Sequence, residues 1–502
     1  MNRSTLWTLA AGLALTACFG IDEENYPALS PVVITSVSDT VNAQLGIPLE
    51  YAGISIESDL PVTLEWAYGE PAQNTTVEQG RFAVRKVLDT QSPTIDYTFN
   101  EIGSFILRLK ADNGESIAYK FFRLNVNSGY DEGVAILDRD DDGTSGIAFV
   151  KTLTSEEVLA GEQELFYFDP VGGLKEGVAL YVSDASLSYG VGNQTAFVIL
   201  TADEQGSIYL LDAKTLELVQ KGSMAEFGTK PKKVAGEYAR QNDLSLYFLS
   251  EDGRVFRYDM LLGYIYEISG FPETFKGCFQ AVNRTYASGA TTRYPFFFGD
   301  NWLSTRQSAS AGIKSLVVDS GYRIVNAACA RTQSSAPVYV LMQSTSDPAA
   351  YRIRSSKLSP TVDIHGGGWE SAVNNFTAED LKMDENSIML GAKTSSDIYY
   401  TYDNAIYRWG MTTAPGSQPA IMLPEGEQIV DIATNFMGKA AAGVSGPDNG
   451  EDLLYVATYN PGRAGDRKGS LYVYRFADDS RVAAYEGICH RPVQVIYKYR
   501  MN

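Results

Sequence analysis

Three short stretches carry residues whose types and spacing could do chemistry. Asp138-Arg139-Asp140-Asp141-Asp142-Gly143 sets carboxylates at alternate positions ahead of a glycine, which matches the first half of a calcium-binding loop. Asp138, Asp140 and Asp142 are therefore candidate ligands for Ca2+, the only cofactor the sequence suggests. The twelfth position, where such a loop needs a bidentate Glu, is Phe149, so an exposed Asp-Gly turn between two strands is the competing reading. His365-Gly366-Gly367-Gly368 could aim flexible backbone N–H groups at a developing oxyanion. Trp302, in Gly299-Asp300-Asn301-Trp302, and Trp369, just after the glycine run, stand in loops that can bury little around them. An exposed Trp stacks on sugar rings or peptide side chains, so Trp302, His365 and Trp369 are candidate ligand contacts, against ordinary loop packing.

A catalytic set does not assemble around these residues. The sequence has no Gly-x-Ser-x-Gly elbow and no His-Glu-x-x-His, and it holds only two histidines, His365 and His490. The 61 acidic residues offer many carboxylate pairs, but none stands out by spacing. The chain reads as a non-enzyme. Cys278, Cys329 and Cys489 lack metal-ligand spacing and read as buried thiols, with at most one internal disulfide. Lys230-Pro231-Lys232-Lys233 reads as a solvated basic loop, with contact to a partner as the alternative.

The elements that must position these residues are β-hairpins. Ser245–Ser250, the turn Glu251-Asp252-Gly253 and Arg254–Asp259 place β-branched and aromatic runs on either side of a glycine suited to positive φ. The unit recurs at Phe197–Leu200 with Ser207–Asp212, at Ile398–Tyr400 with Ala405–Trp409, and at Leu454–Ala457 with Ser470–Tyr474. Weaker copies lie at Tyr294–Gly299, Val338–Arg354 and Val134–Phe149, giving about seven units. The pattern predicts a β-propeller over residues 129–502, closed by pairing Val493–Tyr497 with either Val134–Leu137 or Ile147–Val150. Its Tyr and Phe, among them Phe256, Tyr407 and Tyr472, should pack between blades. Short helices are expected only at Thr154–Leu165 and Thr377–Met383, the latter from an approximate capping box.

Residues 31–128 carry strand runs at sandwich spacing, ending in a hairpin turned by Asn113-Gly114. Trp66 is expected in the core of this sandwich. Ahead of it, Asn2 and Arg3 precede an apolar run, Leu6–Leu15, that is too short to span a bilayer as a helix, the pattern of a secretory signal over residues 1–17. The composition supports a folded acidic protein: 44% of residues are hydrophobic, 20% are charged, and the formal net charge is -20. Such a surface repels phosphate backbones, so nucleic acid is not an expected partner.

Leu15-Thr16-Ala17-Cys18 resembles the lipobox of bacterial lipoproteins, which implies lipidation of Cys18 and a tether over residues 18–30. Ile21-Asp22-Glu23-Glu24-Asn25 resembles the acidic export signal of Bacteroidetes surface lipoproteins. Tyr97-Thr98-Phe99 through Asp112-Asn113-Gly114 looks like the closing hairpin of a PKD (polycystic kidney disease) type immunoglobulin-like domain. Trp66-Ala67-Tyr68-Gly69 stands where that family has its Trp-x-Phe-Gly, while Glu70-Pro71 replaces the usual Asp-Gly. Together these motifs and the repeats resemble the PKD-like lipoproteins of Bacteroidetes. The resemblance implies an all-β chain, an N-terminal PKD/immunoglobulin-like sandwich followed by the propeller, anchored in the outer membrane and facing the exterior. It further implies an accessory role beside a SusC/SusD-type TonB-dependent transporter and neighbouring surface lipoproteins, capturing glycan or oligopeptide. A scaffold without cargo, or a surface propeller hydrolase or lyase, are the alternatives.

Overall fold

The computed structural model describes residues 29–72, 82–88, 91–130, 132–153, 158–159, 163–183, 196–240, 243–284, 291–306, 312–330, 337–356, 368–379, 381–383, 386–391, 397–411, 414–435 and 453–498. The chain forms two compact units, Met1–Ser128 and Gly129–Asn502.

In the first unit a five-stranded sheet runs in the order Thr40–Gln44, Ile117–Asn127, Gly103–Asp112, Thr63–Pro71, Phe82–Leu88, and its first pair is parallel. Two further antiparallel pairs, Val33–Ser36 with Ile54–Glu57 and Pro48–Tyr51 with Ile95–Thr98, contribute Ile34, Ile54, Leu49 and Tyr97 to the same core. Trp66 is fully buried there, and its indole N–H donates to the Ser92 carbonyl at 2.9 Å, which satisfies the one polar atom that burial would otherwise strand. Tyr68 meets Phe99 and Phe105 edge-on at 5.1 and 5.6 Å. The last hairpin turns where its sequence says it should. Gly114 takes φ +84°, and the Asn113 side chain accepts the N–H groups of Glu115 and Ser116.

The second unit is a β-propeller of seven four-stranded antiparallel blades. The innermost strands, from blade 1 to blade 7, are Arg491–Lys498, Gly177–Ser183, Pro231–Arg240, Gly277–Arg284, Tyr322–Cys329, Met389–Gly391 and Gln428–Thr434. Blade 1 is composite. Its inner strand comes from the C-terminal end and pairs with Gly133–Arg139, Val134 standing opposite Tyr497 and Ile136 opposite Val495. Of the two closures open to the sequence, the pairing with Val134–Leu137 is the one adopted, because Ile147–Val150 is already held between Gly133–Arg139 and Leu165–Phe168.

Blades are glued to their neighbours by apolar cores, as alternation in each strand dictates: one face of a blade packs on the blade before it and the other on the blade after. Phe197 and Ile199 of blade 2 join Phe149 and Tyr455 of blades 1 and 7. Phe248 and Phe256 of blade 3 pack on Val198 and Leu210 of blade 2. Tyr400 and Tyr407 of blade 6 join Leu341 and Ile353 of blade 5, and Tyr399 and Ile406 meet Val456 and Tyr472 of blade 7, completing the ring. Phe256 and Tyr472 are fully buried and Tyr407 nearly so.

The hairpin turns are local chemistry. Gly253 adopts φ +80° and closes the blade 3 turn by donating to the Ser250 carbonyl, while Asp403 takes φ +54° at the matching corner of blade 6. Of the two expected helices, the first is helical at its described interior residues and gives way to a strand at its end, and the second is not formed where it is described. Among the described residues of the first stretch Val158 and Leu159 have helical backbone, and Leu165 opens a strand. Thr377 ends the strand Val373–Thr377 opposite Ala350, so ladder hydrogen bonds to blade 5 take the residue that the capping pattern would have used.

Candidate functional site

The acidic run was the first candidate, and the structure separates its members. Asp138 lies on Gly133–Arg139 with no solvent exposure. Its Oδ1 accepts the Gly146 N–H at 3.0 Å and the Tyr167 hydroxyl at 3.1 Å, and its Oδ2 accepts the His490 N–H at 2.5 Å. Burial pushes this carboxyl above the usual carboxylate range, opposed by the His490 N–H and the other donors. Asp140 instead accepts the Asp142 and Thr144 N–H groups within its own turn, and Asp142 is exposed. Asp138, Asp140 and Asp142 therefore do not converge on a cation. Among the described residues no group of three or more His, Cys, Asp or Glu is placed to hold a metal ion. The strand register is the reason: Asp138 stands across from Pro492 and Gly146 inside blade 1, where its oxygens meet backbone donors.

The tryptophans are half-buried and engaged. Trp302 opens the strand Trp302–Arg306 opposite Val317, and its backbone N–H donates to Glu273 at 2.8 Å. Trp369 donates its indole N–H to the Val317 carbonyl at 2.8 Å, with the Arg354 guanidinium 5.7 Å from its ring. Both thus meet the outer strand of blade 4 at Val317, and neither lines the cavity described below. His365 and Cys18 lie outside the described residues. Cys278, Cys329 and Cys489 are buried thiols outside any disulfide, and burial pushes the Cys278 thiol up to about 12.

A cavity of about 830 Å3 opens instead where the inner strands of blades 3, 4 and 5 begin and where the chain enters the inner strand of blade 6. That volume falls within the roughly 300–1,000 Å3 of small-molecule sites. Lys232 and Lys233 come from blade 3, Lys276 from the start of blade 4, and Arg323 from blade 5. Among the described residues, one lining carboxylate, Asp300, faces these four cations. Asn326, Gln343 and Ser387 add neutral polar groups, and Phe298, Tyr351 and Met383 supply apolar wall.

Most of these groups are fixed by one another. Lys276 Nζ donates to Asp300 at 2.7 Å and to the Ile324 carbonyl at 2.6 Å. Arg323 donates to Gln343 Oε1 at 2.9 Å, and Gln343 in turn donates to the Tyr351 hydroxyl at 2.8 Å. Asn326 Nδ2 reaches the Ser387 carbonyl at 2.8 Å. Lys232 and Lys233 are different: both are exposed, and no described residue accepts a hydrogen bond from either ammonium. Lys233 does exert its charge on Asp431, a half-buried carboxylate on the inner strand of blade 7. Burial pushes Asp431 up to about 6, against the Val495 N–H that it accepts at 2.9 Å and the pull of Lys233.

Backbone irregularity sets these directions. The register between Pro231–Arg240 and its neighbour shifts from Pro231↔Ser250 to Lys233↔Leu249, leaving Lys232 as an extra residue. Similar shifts precede Asn326 in blade 5 and Asp431 in blade 7. Bulges of this kind bend a strand and re-aim its side chains. The basic run read as a solvated loop is thus a bulged strand start on a cavity wall. The one sequence sign of it is Pro231, a residue suited to the first position of a strand.

No family model and no curated protein matches the chain. Among solved structures it is similar to a quinonprotein alcohol dehydrogenase-like protein from Bacteroides thetaiotaomicron VPI-5482, at 14% identity and a TM-score of 0.40, covering 94% of this chain and all of that one. It is also similar to the WD40 repeats of RRP9, at 9% identity and a TM-score of 0.38, over 65% of this chain and 89% of that one. The propeller assignment rests on the seven sheets and the closing register, not on these likenesses.

Proposed function

We propose that this chain is a ligand-binding surface lipoprotein, anchored in the outer membrane through Cys18, that serves a SusC/SusD-type uptake complex as an accessory nutrient-binding component. On this reading the N-terminal unit is a PKD-like spacer, and the propeller presents its cargo site at the cavity of blades 3 to 6. The observation that carries the binding role is the composition of that cavity. Cations, amides and a hydroxyl converge beside aromatic wall, and the one lining carboxylate among the described residues, Asp300, is held by Lys276. Such a set holds and orients a ligand. The lipobox and the acidic residues after it support anchoring at the surface, since two or three acyl chains, at about 0.8 kcal/mol per buried methylene, hold a protein at a membrane without a spanning helix.

The test is affinity capture with the tagged, lipidated protein from detergent-solubilised outer membrane, read by mass spectrometry. Recovery of a SusC/SusD-type pair is expected. Absence of any transporter, combined with chemical turnover of a component in a glycan or peptide pool, would overturn the reading in favour of a free-standing surface enzyme.

A further inference from the structure

We infer that the cavity selects small anionic ligands carrying carboxylate, sulfate or phosphate groups, and that the bulge at Lys232 is the device that makes it do so. The inference rests on the binding reading above and adds its ligand class. In a regular strand successive side chains leave opposite faces, so two consecutive lysines could not both face one cavity. Lys232 and Lys233 both line it, because the register slips by one residue between Pro231 and Lys233.

Their ammonium groups reach no hydrogen-bond acceptor among the described residues, although Lys233 acts on Asp431 at longer range. Lys276 and Arg323 are already hydrogen-bonded to Asp300 and Gln343 and form fixed walls, whereas Lys232 and Lys233 have no hydrogen-bond acceptor among the described residues. Two ammonium groups from consecutive residues on one cavity wall, neither hydrogen-bonded to a carboxylate, repel each other, and an anion that engages both relieves that repulsion while gaining charge-assisted hydrogen bonds.

The rest of the molecule fixes the size of the anion. At a net charge of -20 the surface opposes extended polyanions, while among the described lining residues of the cavity four cations face one carboxylate. With screening over roughly 8 Å at physiological salt, a ligand contained in the cavity feels mainly the lysines, and one that spills out feels the acidic surface. Tyr351 and Phe298 offer apolar wall for the ligand's body.

The experiment is calorimetric titration of the full lipidated chain in a zwitterionic detergent with four probes: trigalacturonate, a monosulfated chondroitin disaccharide, inositol hexakisphosphate and neutral maltotriose. At least one anionic probe should bind, and the three arms identify which anion is preferred. Its affinity should fall as salt rises from about 0.01 to 0.15 M, where the screening length shortens from roughly 30 to 8 Å. The double variant Lys232→Gln/Lys233→Gln should weaken it at least about tenfold at an unchanged melting temperature, and Lys232→Arg/Lys233→Arg should restore it. Tight, salt-independent binding of maltotriose would overturn the anion inference and leave the binding reading standing. Anion binding that the double glutamine variant leaves intact would overturn it too, and so would failure of all three anions. Recovery of no transporter alongside lysine-dependent anion binding would instead remove the uptake reading alone.

Discussion

Asp138 and the pair Lys232 and Lys233 stand on strands of one ring, and the ring treats them in opposite ways. Asp138 is sealed from solvent and its two oxygens meet three donors from three segments of blade 1. The lysines stand in the open with no acceptor among the described residues. A buried charge survives folding only if it is answered by hydrogen bonds, so Asp138 is spent on closing the propeller. An exposed, unanswered pair costs little on folding and keeps its interaction energy for something that arrives later. The difference teaches that charge density in sequence is a poor guide to function by itself. What matters is whether the fold has already supplied the partners.

The comparison can be broken in several places. Asp138→Ala should cause the largest loss, roughly 3–5 kcal/mol of propeller stability in denaturant unfolding, because three buried donors lose their acceptor. It should leave affinity for any cavity ligand unchanged in the fraction that folds. A loss below about 1 kcal/mol would show that the carboxylate does not clamp the closure.

Asp431 sharpens the contrast, since it is half-buried, accepts the Val495 N–H and lies under the influence of Lys233. Its folded pKa, about 6, lies above the ordinary carboxylate value, so the folded state holds the proton more tightly than the unfolded chain. The resulting stabilisation is fully present below about pH 4 and is lost as pH rises through about 6. Asp431→Asn keeps an acceptor for the Val495 N–H and should remove this pH dependence, making the variant roughly 2 kcal/mol more stable than the parent at pH 7 relative to the difference at pH 4. Thermal melts of both proteins across pH 4 to 7 check it, and parallel curves would refute the assignment.

Smaller still is Trp369→Phe, which deletes one hydrogen bond to the carbonyl of an exposed residue, Val317. About 1 kcal/mol or less should be lost, since water can replace the indole, and cavity binding should not change. A large fall in affinity would return this tryptophan to the ligand site. The smallest expected effect is that of calcium: millimolar Ca2+ should leave the melting temperature unmoved, and a rise abolished by Asp140→Asn would reopen the acidic turn as a metal site.

Much of the architecture was legible because it is written locally. Glu251-Asp252-Gly253 and Asn113-Gly114 encode their own turns, and aromatic runs on either side encode the strands, so seven hairpins could be counted before their arrangement was known. Closure was legible too, up to the choice of partner strand. The site was not. Asp138-x-Asp140-x-Asp142-Gly143 has the letter spacing of a metal loop, but a strand boundary falls after Arg139 and sends the first carboxylate into the blade. Lys232 and Lys233 read as a loop but stand on a bulged strand, because a bulge is a property of pairing between two strands and leaves almost no mark on one of them. Trp302 and Trp369 drew attention as aromatics near glycines, yet Val317, which both of them meet, lies far from Trp369 in sequence.

The composite first blade has a consequence for how the protein is made. Tyr497 donates to Glu132 across a separation of 365 residues, so the first propeller strands off the ribosome wait for nearly the last ones before the ring can shut. Long-range pairing of this kind is slow to form and leaves an unpaired edge while it waits. Until Arg491–Lys498 arrives, the inner edge of Gly133–Arg139 stays unpaired, an open edge of the kind that invites aggregation and that the closing strand covers.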